Sequence, residues 1–222
     1  WYEELLQDEM IMKAVYNTIV IAFMASTAAT ILGTFASIGI FYMKRIPKNI
    51  IMNITYLPVL NADIITGISL LLLFNLISLP LGYISIIIAH ICVNVPYVIL
   101  SVMPKLKQMD NNLYEAALDL GSTPLTALRK VIFPEILPGV ISGFLLSITM
   151  SVDDFVVSFF TSGPLIQTLS IEIYSMTKRG VSPKINALST ILFLVVLSIL
   201  IFTNVKNIKQ KNIKKEKERS FV

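Results

Sequence analysis

The feature that most constrains the fold of this chain is a run of thirty residues, 14–43, without a single charged side chain. About 20 apolar residues in a helix are enough to cross the hydrocarbon core of a bilayer, so this run is long enough to span it. Charged residues make up only 14% of the whole chain, compared with about 25% in soluble proteins. The sequence therefore predicts an all-α, polytopic membrane protein.

A second apolar stretch, residues 50–103, is too long for one span. The turn-forming residues 78–82 divide it into two. Pro58, followed by the polar residues 61–63, predicts a bend or interruption within the first of the pair. The second is predicted to run from about residue 84 and to end before Pro104.

Two more spans are predicted further along the chain, at about residues 138–161 and 186–204, joined by a polar connection. This gives about five spans in a single transmembrane domain. The predicted organisation is an extracytoplasmic segment 1–13, a single transmembrane domain 14–204 that contains a charged loop 104–138, and a basic tail 205–222. A lysine-rich tail of this kind is attracted to anionic lipid on the cytosolic leaflet.

Small residues recur every four positions along the first span. They are Ala25, Ala29, Gly33 and Ser37. Such a stripe lets a neighbouring helix approach closely, so it predicts a packing face.

Three aspartates lie within predicted spans and are candidates to line a path through the membrane. An aspartate there is costly and usually faces the bundle interior or water. Asp154 shares a helical face with small and polar residues of the fourth span, namely Gly143, Ser147, Ser151 and Ser158. Asp153 is rotated from that face by about 100°, which favours Asp154 as the residue facing an aqueous path. For Asp63, a path-lining role and a helix cap near the membrane surface remain equally open.

No enzyme chemistry is indicated by the sequence. It contains no GxxxxGK[ST] motif for binding ATP and no evident nucleophile–base pair. Cys92 is the only cysteine, which excludes an internal disulfide and a cysteine metal cluster. His90 is the only histidine and lies in an apolar run, where a packed or hydrogen-bonded histidine is the more common finding. No cofactor is expected.

The charged loop contains a helix, a glycine corner and a second helix. Apolar residues at helical spacing precede Gly121, which can leave a helix with a left-handed backbone. Ser122 and Thr123 then offer a hydroxyl cap before a proline in the first turn of the next helix. Pro134 is predicted to close the unit, which would form a rigid knob on the membrane face.

This loop resembles the EAA loop of permease subunits of ABC importers, in which EAA is followed by three residues, glycine, nine residues and I-x-L-P. The matching positions are Glu115, Ala116, Ala117, Gly121 and Pro134. The segments SITMSVDDFVVSFFTSGP, IYSMTKRGVSP and NALSTIL extend the resemblance, which is to the permeases of spermidine/putrescine importers, over nearly the whole chain.

The resemblance implies an ABC type I permease fold, with one further helix upstream of Trp1. It also implies a second permease subunit, a cytosolic ABC ATPase dimer that grips the EAA loops and binds the ATP, and an extracytoplasmic polyamine-binding protein. In this scheme the five EAA positions couple to the ATPase, and Asp154, Asp153 and Asp63 line the substrate path.

Basic residues predict the orientation, because lysine and arginine gather on the cytosolic side. With Trp1 outside, the inner segments are 44–48, 104–137 and the tail. They hold three, four and seven basic residues, or fourteen of the eighteen in the chain. The EAA loop and the C-terminus are therefore expected in the cytosol of a bacterial cell.

Three alternatives remain open from the sequence. The EAA loop does not specify the cargo, so the permease could carry another small solute. The intramembrane aspartates could serve an ion-coupled secondary carrier, which would work without an ATPase. A membrane scaffold that transports nothing would leave those aspartates unexplained.

Overall fold

The computed structural model describes residues 8–179 and, beyond them, Thr190, Leu194 and Leu197. The chain divides into two compact units. The larger is Met12–Glu172, and the described residues of the smaller are 8–11, 173–179 and the three isolated ones. Apart from those three, the predicted fifth span and the tail lie outside the described residues.

All regular structure in the described part of the chain is helical. The elements are α1 (Glu9–Tyr42), α2 (Arg45–Leu60), α3 (Asp63–Leu76), α4 (Tyr83–Gln108), α5 (Asn111–Asp119), α6 (Pro124–Ala127), a π-helical turn (Leu128–Ile132), α7 (Phe133–Asp153), α8 (Val156–Thr161) and α9 (Leu169–Arg179). Three helical stretches are long and apolar enough to cross a membrane, namely α1, α4 and the 30 residues Pro124–Asp153. The predicted polytopic helical fold is confirmed.

The interruption predicted near Pro58 is also confirmed. Helix α2 ends at Leu60, two residues intervene, and α3 leaves at an angle of 106°. Pro58 lies inside the last turn of α2, where its missing N–H weakens the end of the helix. Taken together, α2 and α3 are apolar enough to count as one broken span or a re-entrant loop.

The structure corrects one predicted helix end and adds a helix to the polar connection. Helix α4 does not stop before Pro104 but continues to Gln108. A proline costs a helix one backbone hydrogen bond, and packing of the last turn opposes that cost, since Leu106 is fully buried against Ile132 and Ile136. The connection after residue 161 is not purely irregular, because it contains α9.

The core of the larger unit lies between α1, α4 and α7. Helix α4 packs along α7, and Ile38 of α1 joins Val98 and Val102 of α4 in the main apolar cluster. The predicted small-residue face of α1 is buried, and at Gly33 a Cβ atom would lie 2.8 Å from the Val98 Cβ. The stripe therefore allows two spans to touch, as predicted.

In the smaller unit, the described residues 173–179 form the C-terminal part of α9. The Thr177 hydroxyl donates to the Ile173 carbonyl one turn earlier. The Lys178 ammonium lies 4.8 Å from the centre of the Tyr174 ring, a cation–π distance.

Candidate functional site

A cavity of about 360 Å³ lies where α3 begins, α4 passes and α7 ends. Cavities of roughly 300–1,000 Å³ hold small-molecule ligands in other proteins. Polar side chains form one part of its wall, namely Asp63, His90, Asn94, Tyr97, Ser151, Asp153 and Asp154. The rest is apolar, formed by Val93, Met150, Phe155, Val156 and Val157.

The structure brings the three candidate path residues to this one cavity. Asp63 is the first residue of α3, directly after the 106° bend. Asp153 is the last residue of α7, and Asp154 follows it. None of the described residues that line the cavity is a lysine or an arginine. The cavity therefore favours a positively charged ligand, because carboxylates inside a membrane span need counter-charge.

Asp63 is the first residue of α3 and not its N-cap, which is Ala62, and no side-chain hydrogen bond caps this helix. It lies in the first turn of α3, where a carboxylate interacts favourably with the helix dipole. Its side chain also lines the cavity. The bend in the α2–α3 pair places the start of α3 beside the cavity.

Helix α7 ends at Asp153 because Asp154 starts a new helix. The backbone of Asp154 is extended, with φ −66° and ψ 117°. Its carboxylate accepts hydrogen bonds from the N–H groups of Val157, at 3.3 Å, and Ser158, at 2.7 Å, in the first turn of α8. A side chain that satisfies these otherwise unpaired N–H groups stabilises the restart.

The break corrects two expectations. The predicted continuous span 138–161 is wrong, so the 100° rotation between Asp153 and Asp154 does not apply and both line the cavity. The small and polar face is also not a water-lined one. Gly143, Ser147 and Ser151 are buried, and a Cβ atom on Gly143 would lie 3.3 Å from the Val98 Cα of α4.

His90 of α4 lies beside the break and contacts both sides of it. Its Nδ1 atom is 2.5 Å from the Ser151 hydroxyl oxygen of α7. Its Nε2 atom is 2.9 Å from the Ser158 hydroxyl oxygen of α8 and 3.4 Å from Oδ2 of Asp154. The His90 side chain is 2% exposed and that of Asp154 is 19% exposed. The expectation of a hydrogen-bonded histidine is confirmed, but its place in the cavity wall was missed.

A signal for the polar wall was present in the sequence. Asn94 follows His90 by four residues and Tyr97 follows it by seven, which puts all three on one face of α4. Asn94 is buried, and its Nδ2 atom has no hydrogen-bond partner within the described residues. Across the same residues, no three His, Cys, Asp or Glu side chains are placed to hold a metal ion.

The charged loop has the predicted helix–glycine–helix form at its start. Gly121 has φ +85°, and its N–H donates to the Leu118 carbonyl at 2.9 Å. The Ser122 N–H donates to the Ala117 carbonyl at 3.0 Å. These two bonds form a Schellman motif, which ends α5. Thr123 then caps α6, with Pro124 in its first turn.

Pro134 does not close this unit, contrary to the prediction. It lies in the first turn of α7, and the helix runs on from α6 without a break. The π-helical turn makes this possible, because in it the Phe133 N–H bonds the Leu128 carbonyl five residues back. A wider turn of this kind absorbs the missing N–H and the bulk of a proline ring.

Around the glycine corner, apolar side chains point away from the rest of the described chain. Leu113, Leu120 and Leu125 are 48%, 87% and 76% exposed. Glu115 and Ala116 of the EAA sequence are exposed on α5 as well. A small patch with a polar rim and protruding leucines is typical of a surface that binds another protein.

Comparison with protein families and with individual proteins agrees with these features. Residues 29–214 match the model of the family described as the binding-protein-dependent transport system inner membrane component. The chain is 37% identical over 212 residues to the spermidine/putrescine transport system permease protein PotC of Haemophilus influenzae. The aligned residues cover 96% of this chain and 82% of that protein.

Two further similarities extend this result. Identity to the putrescine transport system permease protein PotI of Escherichia coli is 39% over 199 residues, or 86% of this chain and 71% of that one. Among solved structures, the MetNI methionine ABC transporter in inward-facing conformations superposes with a TM-score of 0.72 at 17% identity, covering 87% of this chain and 93% of the other. At that identity the superposition is evidence for the fold alone.

Proposed function

Because the chain belongs to the family of binding-protein-dependent transport system inner membrane components, we propose that it is the permease subunit of an ATP-driven importer for polyamines such as spermidine and putrescine. It forms part of the path through the membrane and is not itself an enzyme. Relatives named for spermidine/putrescine and putrescine transport, at 37% and 39% identity, support this cargo.

The observation that carries the proposal is the cavity, which is lined by three aspartates and, among the described residues, by no lysine or arginine. A polyamine carries several ammonium groups, and an unpaired ion inside the bilayer costs several kcal/mol or more. Asp63, Asp153 and Asp154 supply the counter-charge. Asp154 is held by peptide N–H groups, which fixes its carboxylate in the wall. Asp63 and Asp153 are the more exposed of the three and are the first to meet a cation from solvent.

The corner around Gly121 is the proposed contact with an ATPase. The EAA positions Glu115, Ala116 and Ala117 lie on α5, and the exposed leucines beside them offer apolar anchors. The Schellman bonds make the corner rigid. Movement of an ATPase against it is therefore passed to Pro134 and the spanning helix rather than absorbed locally.

The proposed complex contains this chain, a second permease subunit, an ATPase dimer and an extracytoplasmic polyamine-binding protein. The two permeases enclose the path between them. Closure of the ATPase dimer on ATP tilts the spanning helices between inward-facing and outward-facing states. ATP binds to the partner subunits, and the membrane-spanning helices contact lipid.

We place the charged loop and the C-terminus in the cytosol of a bacterial cell, on the basis of the lysine and arginine asymmetry. The proposed organisation keeps residues 1–13 outside, 14–204 as one transmembrane domain with the loop 104–138, and 205–222 as the cytosolic tail. This puts the ATPase contact and the ATP supply in the same compartment. Membership of the family favours this importer over an ion-coupled carrier.

The test is uptake by vesicles that contain the complete complex. Labelled spermidine and putrescine are expected to accumulate only with ATP and the binding protein, and an uncoupler should have no effect. Neutral sugars and anionic peptides should not accumulate. Asparagine at Asp63, Asp153 and Asp154 together should abolish uptake. Glu9→Gln, which removes an exposed charge outside the cavity, is the control and should transport normally. Uptake of a neutral or anionic solute in place of polyamine would refute the cargo.

A further inference from the structure

We propose that His90 is the positioning residue of the cation site: it holds the break between α7 and α8, and so keeps Asp153 and Asp154 on one cavity wall. This inference rests on the proposed function and deepens it. It assigns a role to the only histidine in the chain, which the transport scheme otherwise leaves unused.

The first step is that His90 joins the two sides of the break. Ser151 belongs to α7, Ser158 belongs to α8, and the imidazole lies within hydrogen-bond distance of both hydroxyl groups. The extended backbone of Asp154 interrupts the helix between them. A side chain from a different span, α4, therefore fixes where one helix stops and the next begins.

The second step is the direction of these hydrogen bonds. Asp154 Oδ2 lies 3.4 Å from Nε2, and a carboxylate accepts hydrogen bonds but cannot donate. This assigns the proton of the neutral ring to Nε2, which faces Ser158 and Asp154. Nδ1 is then the acceptor of the Ser151 hydroxyl proton. The imidazole thus directs its N–H toward Ser158, with the Asp154 carboxylate beside it.

The third step is what the break does to the charges. On a continuous helix, consecutive residues point about 100° apart, which would turn one of the Asp153 and Asp154 side chains partly away from the other. With the break, both line it together with Asp63. A ligand with several ammonium groups gains from a second carboxylate, whereas a neutral ligand would not. The position of the break therefore makes the cavity selective for a polycation over a neutral ligand.

The position of His90 on α4 is firmly set. Ile86 and Ala89 before it and Asn94 after it are buried, and Ala89 packs with Phe74 of α3 and Val157 of α8. The imidazole is thus presented from a packed span. Besides Asp154, the charged groups that line the cavity are Asp63 and Asp153.

The experiment measures equilibrium binding of labelled spermidine to the purified complex without its binding protein, and uptake with saturating loaded binding protein. His90→Phe keeps the ring volume but removes both hydrogen bonds. It is expected to weaken binding by about tenfold or more, since each lost hydrogen bond in a buried polar network can account for up to about tenfold. Basal ATP hydrolysis and co-purification with the partners should be unchanged.

Two conservative variants locate the contact that matters. A glutamine amide reaches the position of Nε2, and an asparagine amide reaches that of Nδ1. His90→Gln is therefore expected to restore binding to within about twofold of the native complex, and His90→Asn is not. A histidine that only fills space would give the opposite order, with phenylalanine close to native and glutamine impaired.

If the complex with His90→Phe does not assemble, Ser158→Ala tests the same hydrogen bond from the other partner. It removes the hydroxyl partner of Nε2 but leaves the peptide N–H that Asp154 accepts from. It should weaken spermidine binding by severalfold. Ser37→Ala is the matched control, because that buried hydroxyl bonds only the Gly33 carbonyl of its own helix among the described residues.

The outcomes separate the two claims. If the native complex neither binds nor transports any polyamine, the proposed function fails. If the native complex does both and His90→Phe binds spermidine equally well, or Ser158→Ala matches Ser37→Ala, the positioning role of His90 is refuted while the permease proposal stands.

Discussion

Replacing Gly121 with alanine tests whether the corner between α5 and α6 couples ATP hydrolysis to transport. The residue has φ +85°, and a Cβ atom built on it meets nothing within 4 Å. The methyl group therefore clashes with no other part of the described chain. Any effect must come from the backbone conformation, in which L-residues with a side chain are disfavoured.

The expected cost follows from that conformation. A left-handed backbone costs a residue other than glycine about 1–2 kcal/mol, which is a factor of about 5–30 in a local equilibrium. The Schellman bonds from the N–H groups of Gly121 and Ser122 hold the corner against this strain. If the strain is relieved by opening the corner, those bonds are lost and the exposed Leu120 changes position. Valine, which is β-branched, should have a larger effect than alanine.

The assay compares uptake with ATP hydrolysis in the same vesicles. Gly121→Ala is expected to lower uptake by about fivefold or more, while the complex still inserts and basal hydrolysis continues. Gly39→Ala is the matched control, since a Cβ atom there also meets nothing within 4 Å and its backbone is helical. The uptake by Gly121→Asn should lie between that of Gly121→Ala and that of Gly39→Ala, because asparagine tolerates the left-handed region. Equal coupling in Gly121→Val and native complexes would refute the reasoning.

Three further predictions follow from other parts of the chain. Asp154→Asn should leave polyamine uptake about tenfold lower than Asp153→Asn does. The reason is that the Asp154 carboxylate both lines the cavity and ends α7 with charge-assisted hydrogen bonds. Equal uptake in the two variants would show that the break does not depend on the charge of Asp154. A topology reporter fused after Val222 should read as cytosolic and one inserted within residues 163–182 as external, and the reverse result would overturn the orientation. Gly33→Ala should lower the thermal stability of the purified complex, since its Cβ would meet α4 at 2.8 Å; a cost of about 1–3 kcal/mol is typical of such overpacking, and unchanged stability would show that α1 can shift.

Features set by local chain chemistry could be predicted from the sequence. Gly121 ends α5 and Thr123 caps α6, because the residues that form these structures are adjacent in the chain. The bend after Pro58 and the small-residue face of α1 are of the same kind, since a missing N–H or a four-residue repeat is visible in a single segment. These are the places where the expected and observed structures agree.

The break at Asp154 could not be predicted because its causes lie in different spans. Neither proline nor glycine marks that position, and the start of the next helix contacts both the Asp154 carboxylate and His90, which belongs to α4. At Pro104 and Pro134 the opposite error was made, because each proline predicted an end where the helix in fact continues. Tertiary packing of Leu106 continues one helix past its proline, and a π-helical turn accommodates the other. Long-range contacts override local propensity at the break and at Pro104, whereas at Pro134 the local backbone geometry changes.

The uninterrupted helix from Pro124 to Asp153 has a mechanical consequence. Its 30 residues measure about 45 Å at 1.5 Å per residue, so a tilt of about 10° displaces one end by about 8 Å relative to the other. One end carries the glycine corner and the other carries a cavity carboxylate. Such a lever works in both directions, because binding energies at two linked sites are reciprocal. If an ATPase binds the corner as proposed, a cation that is held more tightly in one tilt changes the affinity of that contact by the same factor.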